Sequence, residues 1–178
     1  MKINSNKNHR AVVLIDMQDF FLKHFSFSIY KDLIKNQSKV IDVCEKYNIP
    51  LIVLEYKCRG IFRGKTTDKL HKKIKNLKEA KILIKMSNSG FTDTPLDALL
   101  KESKINELVL MGINANACVQ DTAIGALKRG FKVSTSQDII ANSSSGKNQI
   151  LSKRNKEWYK KNTNFFINFE DFLSYIKK

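Results

Sequence analysis

The sequence predicts an α/β domain of three layers, with a mostly parallel sheet of about six strands flanked by helices on both faces. Three observations predict it. Short apolar runs rich in β-branched residues recur along the 178 residues, as in strands buried on both faces. Between them lie segments with apolar residues at helical spacing. The two kinds of segment alternate, and strand–helix alternation builds βαβ units with parallel strands.

Taken in order, Ala11 to Ile15 is the first strand, an unbroken apolar run. Residues 30–47 carry Leu33, Ile34, Val40, Ile41, Val43, Cys44 and Tyr47, which face one side of a helix. Pro50 introduces a second strand, Leu51 to Leu54. Residues 57–79 form a basic connection, helical from Asp68. Ala80 to Ile84 is the third strand. Thr94-Pro95 opens a short helix over Leu96 to Lys101, with Pro suited to a helix first turn. Glu107 to Met111 is the fourth strand, ending at Gly112. Ala117 to Lys128 is a helix that Gly130 terminates. Phe131 to Thr135, a basic helix over Ser145 to Lys160, a short strand at Asn164 to Ile167 and a helix over Phe169 to Ile176 complete the chain. No repeat or linker divides it, so residues 1–178 are expected to form one Rossmann-like domain, with residues 1–9 flexible.

Composition removes several classes of function. No apolar run approaches the roughly 20 residues needed to cross a bilayer, and Met1 to Arg10 lacks the apolar centre of a signal peptide. A cytoplasmic protein with no membrane partner is expected. The three cysteines form no CxxC pair, so neither a disulfide framework nor a zinc knuckle is indicated. The formal net charge is +15, yet 27 of the 32 basic residues are Lys. Bidentate phosphate and base contacts favour Arg. The charge therefore reads as a coated surface, and no specific nucleic-acid partner is expected.

In a parallel α/β sheet, ligands bind beyond the carboxyl ends of the strands. There the chain places Asp16 after the first strand, Glu55, Tyr56, Lys57 and Cys58 after the second, Lys85 after the third, and Gly112 to Cys118 after the fourth. Each has a plain structural use: a buried Cys, a capping Asp, a solvated Lys. Together they are a nucleophile with a base and a cation. Cys118 opens a helix, where backbone N–H groups and the dipole favour a thiolate. Such a site with a neighbouring cation brings a thiol to a pKa of roughly 3.5–7.5. An adjacent Asp16 carboxylate pulls the other way.

Three blocks resemble the isochorismatase-like cysteine hydrolases, a family that includes nicotinamidases, N-carbamoylsarcosine amidohydrolases, ureidoacrylate-type amidohydrolases and biuret hydrolases. The first is Val12-Val13-Leu14-Ile15-Asp16-Met17-Gln18 with Phe21. The second is Lys85-Met86-Ser87-Asn88-Ser89-Gly90-Phe91. The third runs Val109 to Gly112, then Cys118-Val119, Thr122-Ala123, Ala126, Gly130, Val133 and Asp138. The resemblance implies a small-molecule C–N hydrolase with a catalytic triad of Asp16, Lys85 and Cys118. It implies a covalent intermediate on Cys118 and a tendency to form homo-oligomers. It also implies a cis peptide between Ile113 and Asn114, aiming the Asn114 and Cys118 N–H groups at an oxyanion.

The sequence departs from parts of that pattern. Nicotinamidases carry an Asp-x-His-x-x-His metal site after the second strand, where this chain has Glu55-Tyr56-Lys57-Cys58-Arg59-Gly60. His9, His24 and His71 stand at no ligand spacing, so neither metal nor other cofactor is expected. Isochorismatases of this fold lack the Cys, so Cys118 favours C–N hydrolysis over vinyl-ether cleavage. An isochorismatase-type activity and a non-catalytic binding role are the alternatives. Phe20, Phe21, Phe25 and Phe27 follow Asp16 as core packing or subunit contact, or as a pocket wall, Phe21 being the best placed for the wall. Phe21, Tyr56 and Arg59 are the candidate pocket residues, with Arg59 and Arg63 read either as ligands of a substrate carboxylate or as ordinary solvated charge. Leu151 to Lys160 reads as a solvated helix face.

Overall fold

The computed structural model describes residues 9–58, 61, 62, 64–78, 80–142 and 149–178. Residues 1–8 of the expected flexible start, Arg59, Arg63 and residues 143–148 lie outside them. Among the described residues, eight strands form one sheet. Its centre is β1 (Arg10–Ile15), paired on one side with β2 (Leu51–Cys58) and on the other with β5 (Glu107–Ile113). Beyond β2 lies β4 (Ala80–Lys85), and beyond β5 lie β6 (Lys132–Ser136) and β8 (Asn164–Phe166). These six strands are mutually parallel, in the order β4-β2-β1-β5-β6-β8. Two short strands extend the carboxyl side: β3 (Ile61–Phe62) runs antiparallel to β2, and β7 (Ile140–Ala141) parallel to β5.

The helices are α1 (Asp19–Leu22), α2 (Phe27–Tyr47), α3 (Asp68–Ile74), α4 (Leu96–Glu102), α5 (Cys118–Leu127), α6 (Lys153–Asn162) and α7 (Phe169–Ile176). Every residue of β1 and β5 is buried, as the unbroken apolar runs require. Leu33, Ile34, Val40, Ile41 and Cys44 form the buried stripe of α2. Asn48 ends that helix in the left-handed conformation at φ 52°, a conformation Asn tolerates well. No helix among the described residues is long and apolar enough to cross a membrane.

The α/β class, the parallel sheet and the six principal strands agree with the sequence. Boundaries differ where local patterning is silent. β2 continues past Leu54 to Cys58, so Glu55 to Cys58 are strand residues. Their partners explain it: Glu55 and Tyr56 pair with Ile84 and Lys85 of β4, and Lys57 and Cys58 with β3. The basic helix starts later than expected, at Lys153, because Ser152 caps it in a reciprocal capping box with Asn155. The short elements α1, β3 and β7 carry no periodic signal of their own.

Two features set up the ends of the sheet. Gly112 pairs with Ile15 and adopts φ +130°. A Cβ there would run into the Ile15 carbonyl, so β1 and β5 approach closely only because this residue is Gly. At the amino ends, Arg10 of β1 grips Glu107 of β5, with Nε at 2.9 Å and an ion-pair contact at 2.8 Å. Glu107 also accepts from Ser134 Oγ at 2.5 Å and Tyr175 Oη at 2.7 Å. The Arg10 guanidinium stacks 4.5 Å from the Tyr175 ring centre. Glu107→Ala should leave Arg10 buried without its counter-ion and lower stability by about 3–5 kcal/mol. Urea unfolding of the two proteins measures it; a change below about 1 kcal/mol would contradict the role given to this pair.

Candidate active site

Asp16 is the first residue beyond β1, where the strand order turns back on itself between β1 and β5. It sits at φ 55°, a left-handed conformation that Asp tolerates better than most residues. Its main-chain N–H still donates to Leu54 O at 3.0 Å, so its backbone is held while the chain turns. Gln18, fully buried, then closes the turn. Its side-chain Oε1 accepts the Tyr56 N–H at 2.7 Å, and its Nε2 donates to Tyr56 O at 3.2 Å and Gly64 O at 2.5 Å. One amide thus holds both backbone groups of Tyr56.

Lys85 ends β4 and is fully buried. Its Nζ lies 2.9 Å from Asp16 Oδ2, 3.1 Å from Ser87 O and 3.3 Å from Asn88 O. An ammonium has three donors, and these three acceptors match them. The Tyr56 ring lies beneath it, 4.7 Å from Nζ to the ring centre, and Phe21 meets Tyr56 edge-on at 6.0 Å. Tyr56 thus lies against the ion pair and Phe21 lies against Tyr56.

Cys118 is the first residue of α5. The N–H groups of a helix's first turn have no partner within the helix. Here the Val119 N–H turns back to Asn114 O at 3.0 Å. The Cys118 thiol donates to Asn88 Oδ1 at 3.8 Å. The Ile113–Asn114 peptide is cis. The segment from Gly112 to Cys118 is held from behind at several points, the Gly112 N–H donating to Ile139 O at 2.9 Å. Tyr159 Oη of α6 donates to Ala115 O at 2.6 Å, the Ala115 N–H donates to Ala141 O at 2.9 Å, and the Asn116 N–H donates to Asn142 Oδ1 at 3.0 Å. Thr122 ties the second and third sequence blocks together, accepting the Gly90 N–H at 2.9 Å and donating to Cys118 O at 2.7 Å.

Opposing effects meet at the thiol. Burial pushes the Cys118 thiol up to about 12, and the Asp16 charge adds to it; Lys85 opposes both and loses. Of the opposing effects expected at Cys118, burial and the carboxylate outweigh the cation, which favours the protonated thiol at rest. Burial likewise raises Asp16 above the ordinary carboxylate value, against the pull of Lys85 and of a side-chain hydrogen bond with Cys118. Among the described residues, Asp16 Oδ1 is buried with no hydrogen-bond partner. Cys44, buried in α2, is pushed well above the usual thiol range by burial alone of the raising causes.

The residues do not fit a nicotinamidase-type metal. Glu55 turns its Oε1 to the Thr66 N–H at 2.7 Å and the Thr66 hydroxyl at 3.0 Å. No group of three or more His, Cys, Asp or Glu residues suited to a metal occurs among the described residues. Arg59 and Arg63, proposed for a substrate carboxylate, lie outside the described residues. Cys58 ends β2 and is partly exposed. Asn88, Gln18, Asn142 and Tyr159 are the contributors that the sequence did not single out. Asn88 and Gln18 lie inside the quoted blocks. Tyr159 sits in a helix whose composition signals only a solvated face.

This arrangement is a buried carboxylate–ammonium pair facing a thiol at a helix start, in the crevice where a parallel sheet reverses its strand order. The isochorismatase domain family model matches residues 10–157, and the chain belongs to that family of hydrolases. It is 27% identical over 157 residues to nicotinamidase 3 of Arabidopsis thaliana, an alignment covering 79% of this chain and 77% of that protein. The fold is similar to an isochorismatase-like hydrolase from Alkaliphilus metalliredigens, with a TM-score of 0.77, 22% identity, and 93% of this chain and 98% of that one covered. It is also similar to N-carbamoylsarcosine amidase from Thermoplasma acidophilum, with a TM-score of 0.73, 19% identity, and 89% and 95% covered.

The brace behind the Gly112–Cys118 segment generates a prediction. Tyr159→Phe keeps the ring and removes one hydroxyl, leaving the Ala115 carbonyl without its donor. Stability should fall by about 1–3 kcal/mol, the cost of an unsatisfied buried polar group. Denaturant unfolding followed by fluorescence reads it, and an unchanged midpoint would contradict the brace.

Proposed function

We propose that this protein hydrolyses a C–N bond of a small amide, carbamoyl or ureido compound through a covalent intermediate on Cys118. The observation that carries this reading is Lys85: a fully buried ammonium whose three donors hold Asp16 and the Asn88 loop beside the thiol. A buried ion pair is costly to build for stability alone, and perturbed titratable groups cluster where chemistry is done. The hydrolase family, and the amide substrates in the names of the nicotinamidase and the N-carbamoylsarcosine amidase, support the same class of reaction.

The steps follow from the protonation states. With the thiol near 12, a free thiolate is scarce at neutral pH. The proton leaves the sulfur as the sulfur attacks, and Asp16 receives it through Oδ1. The sulfur forms a bond to the carbonyl carbon, and the π pair moves to oxygen. The N–H groups of Asn114 and Cys118 receive that oxyanion. Asp16 then returns the proton to the departing nitrogen, and the C–N bond breaks. Water attacks the acyl-sulfur bond with Asp16 again as base, releasing the acid and restoring the thiol. Lys85 keeps Asp16 oriented, and Phe21 and Tyr56 wall the substrate.

The test is ammonia release over a panel that includes nicotinamide, N-carbamoylsarcosine and ureides. On any substrate found, Cys118→Ala should lose about 10⁶-fold in turnover, the scale of removing a hydrolase nucleophile. Asp16→Asn should lose about 10²–10⁴-fold. Wild-type turnover by Cys118→Ala would overturn the reading. The pH dependence has a definite sign. Asp16 acts as base only when ionised and its pKa is raised, so kcat/KM should fall as pH drops through a value above the ordinary Asp range. Iodoacetamide labelling of Cys118 should climb on the order of tenfold per pH unit from neutral pH upward, with no early plateau. A plateau below pH 8 would show a thiolate at rest and contradict the buried thiol.

Chelation supplies a separate check. Glu55 is turned to Thr66, and the described residues offer no ligand cluster. Turnover should therefore be unchanged by EDTA. Loss of activity that zinc, iron or manganese restores would require a metal centre.

A further inference from the structure

We propose that Gln149 is a positioning residue that sets the width of the substrate pocket, by tying the turn behind Phe21 to the segment that carries Cys118. The proposal rests on the reading of Cys118 as nucleophile and of Phe21 and Tyr56 as pocket wall, and adds what holds that wall in place. Gln149 lies just before α6 and is 3% exposed. Its side-chain Nε2 donates to His24 O at 2.6 Å, and its Oε1 accepts the Ser26 N–H at 2.9 Å. One amide thus closes on both sides of Phe25, in the turn between α1, which carries Phe21, and α2. The Gln149 main-chain carbonyl accepts the Asn142 N–H at 3.0 Å, and Asn142 Oδ1 accepts the Asn116 N–H at 3.0 Å. A continuous run of hydrogen bonds therefore joins the α1–α2 turn to the Gly112–Cys118 segment.

The wall needs such a tie. α1 has four residues and no side-chain hydrogen bond at its N-cap. A single helical turn fixes several dihedrals for very few hydrogen bonds, so it has little stability of its own. Leu22 anchors its end in the core, while Phe21 is only partly buried and Phe20 is exposed. The position of Phe21 is then set by what holds the turn that follows it. The adjoining wall residue is held in the same way. Gln18 takes both backbone groups of Tyr56, against which Phe21 packs edge-on at 6.0 Å. Two buried amides pin two aromatic residues, and the second pin is fastened to the nucleophile's own segment. The tie makes the pocket selective by size, because a fixed wall turns away groups that a yielding one admits.

Two alkylating probes of different size test this. Cys118 is labelled with iodoacetamide and with its bulkier N-phenyl analogue, each rate being read by peptide mapping. Gln149→Met keeps the length of the side chain and removes both of its hydrogen bonds. It should raise the ratio of the bulky to the small labelling rate about 2- to 10-fold, the worth of one hydrogen bond, with the iodoacetamide rate nearly unchanged. Phe21→Ala should raise the same ratio by removing the wall itself. Adding Gln149→Met to it should then have little further effect, since residues that act through a shared contact are not additive. A ratio that stays or falls in Gln149→Met overturns the proposal, as does full additivity in the double variant. Both probes gaining together, with Cys44 labelled as well, marks general loosening and also overturns it. If Gln149→Met does not fold, Gln149→Glu is read by the same ratio, which should again rise. That variant keeps an oxygen for Ser26 and loses the donor to His24. The nucleophile reading falls separately: wild-type turnover by Cys118→Ala sinks it, while the labelling ratio still decides whether Gln149 holds the wall.

Discussion

The site depends on one buried ion pair, Lys85 with Asp16. Their side chains are 0% and 4% exposed. Taking two charges out of water costs several kcal/mol each, and the attraction offsets this only with good geometry and further hydrogen bonds. Both conditions are met on the lysine side, where carbonyls of Ser87 and Asn88 complete the three acceptors. The pair also joins the edge strand β4 to the central strand β1, across the intervening β2. Tyr56, in register with Lys85 and stacked beneath its ammonium, fills the space between them. Gln18 holds Tyr56 at both backbone groups, so the turn after β1 and the end of β2 act as one rigid support.

That pairing decides the chemistry of the thiol. A lysine committed to a carboxylate and two carbonyls has little field left to lower a neighbouring sulfur. Burial and the carboxylate charge then keep the proton on Cys118. Helix position and a nearby cation suggest a thiolate when the sequence is read one residue at a time. The folded site reverses the sign because the anion lies beside the sulfur and the cation is already neutralised. On the proposed mechanism the nucleophile is made during the reaction, by transfer to Asp16. This arrangement protects a cysteine from adventitious oxidation, since the thiolate is the reactive form.

Much of this was legible in the sequence because it is written in long, periodic signals. The apolar runs of β1 and β5 and the amphipathic pattern of α2 need no tertiary information. Given those strands, the rule that ligands gather at carboxyl ends points to Asp16, Glu55 to Cys58, Lys85 and Gly112 to Cys118 with no geometry at all. What escaped is what long-range pairing creates. The extension of β2 to Cys58 exists because β4 and β3 supply partners, a fact no local window contains. Asn88 looked like one polar loop residue among Ser87, Ser89 and Gly90; its contact with sulfur depends on how Thr122 draws that loop onto α5. Tyr159 sits among lysines in a helix that composition marks as solvated, yet it is fully buried because its ring stacks on Phe165 and its hydroxyl reaches Ala115.

The two ends of the same central strands show how the fold separates stability from chemistry. At the amino ends, Glu107 is saturated: two contacts from Arg10, one from Ser134 and one from Tyr175. Nothing there is left to react. At the carboxyl ends, only some twenty ångströms of strand away by the rise per residue, Asp16 carries an equally buried carboxylate with one oxygen paired and the other unmatched. Native proteins pair nearly all buried polar atoms, and this chain has serines, tyrosines and amides enough to do so, as Glu107 demonstrates. Asp16 Oδ1 shares that open state with Gln37 Oε1 and Asp97 Oδ1 among the described residues; what sets it apart is the Cys118 thiol beside it, and on the proposed mechanism it is where the thiol's proton goes.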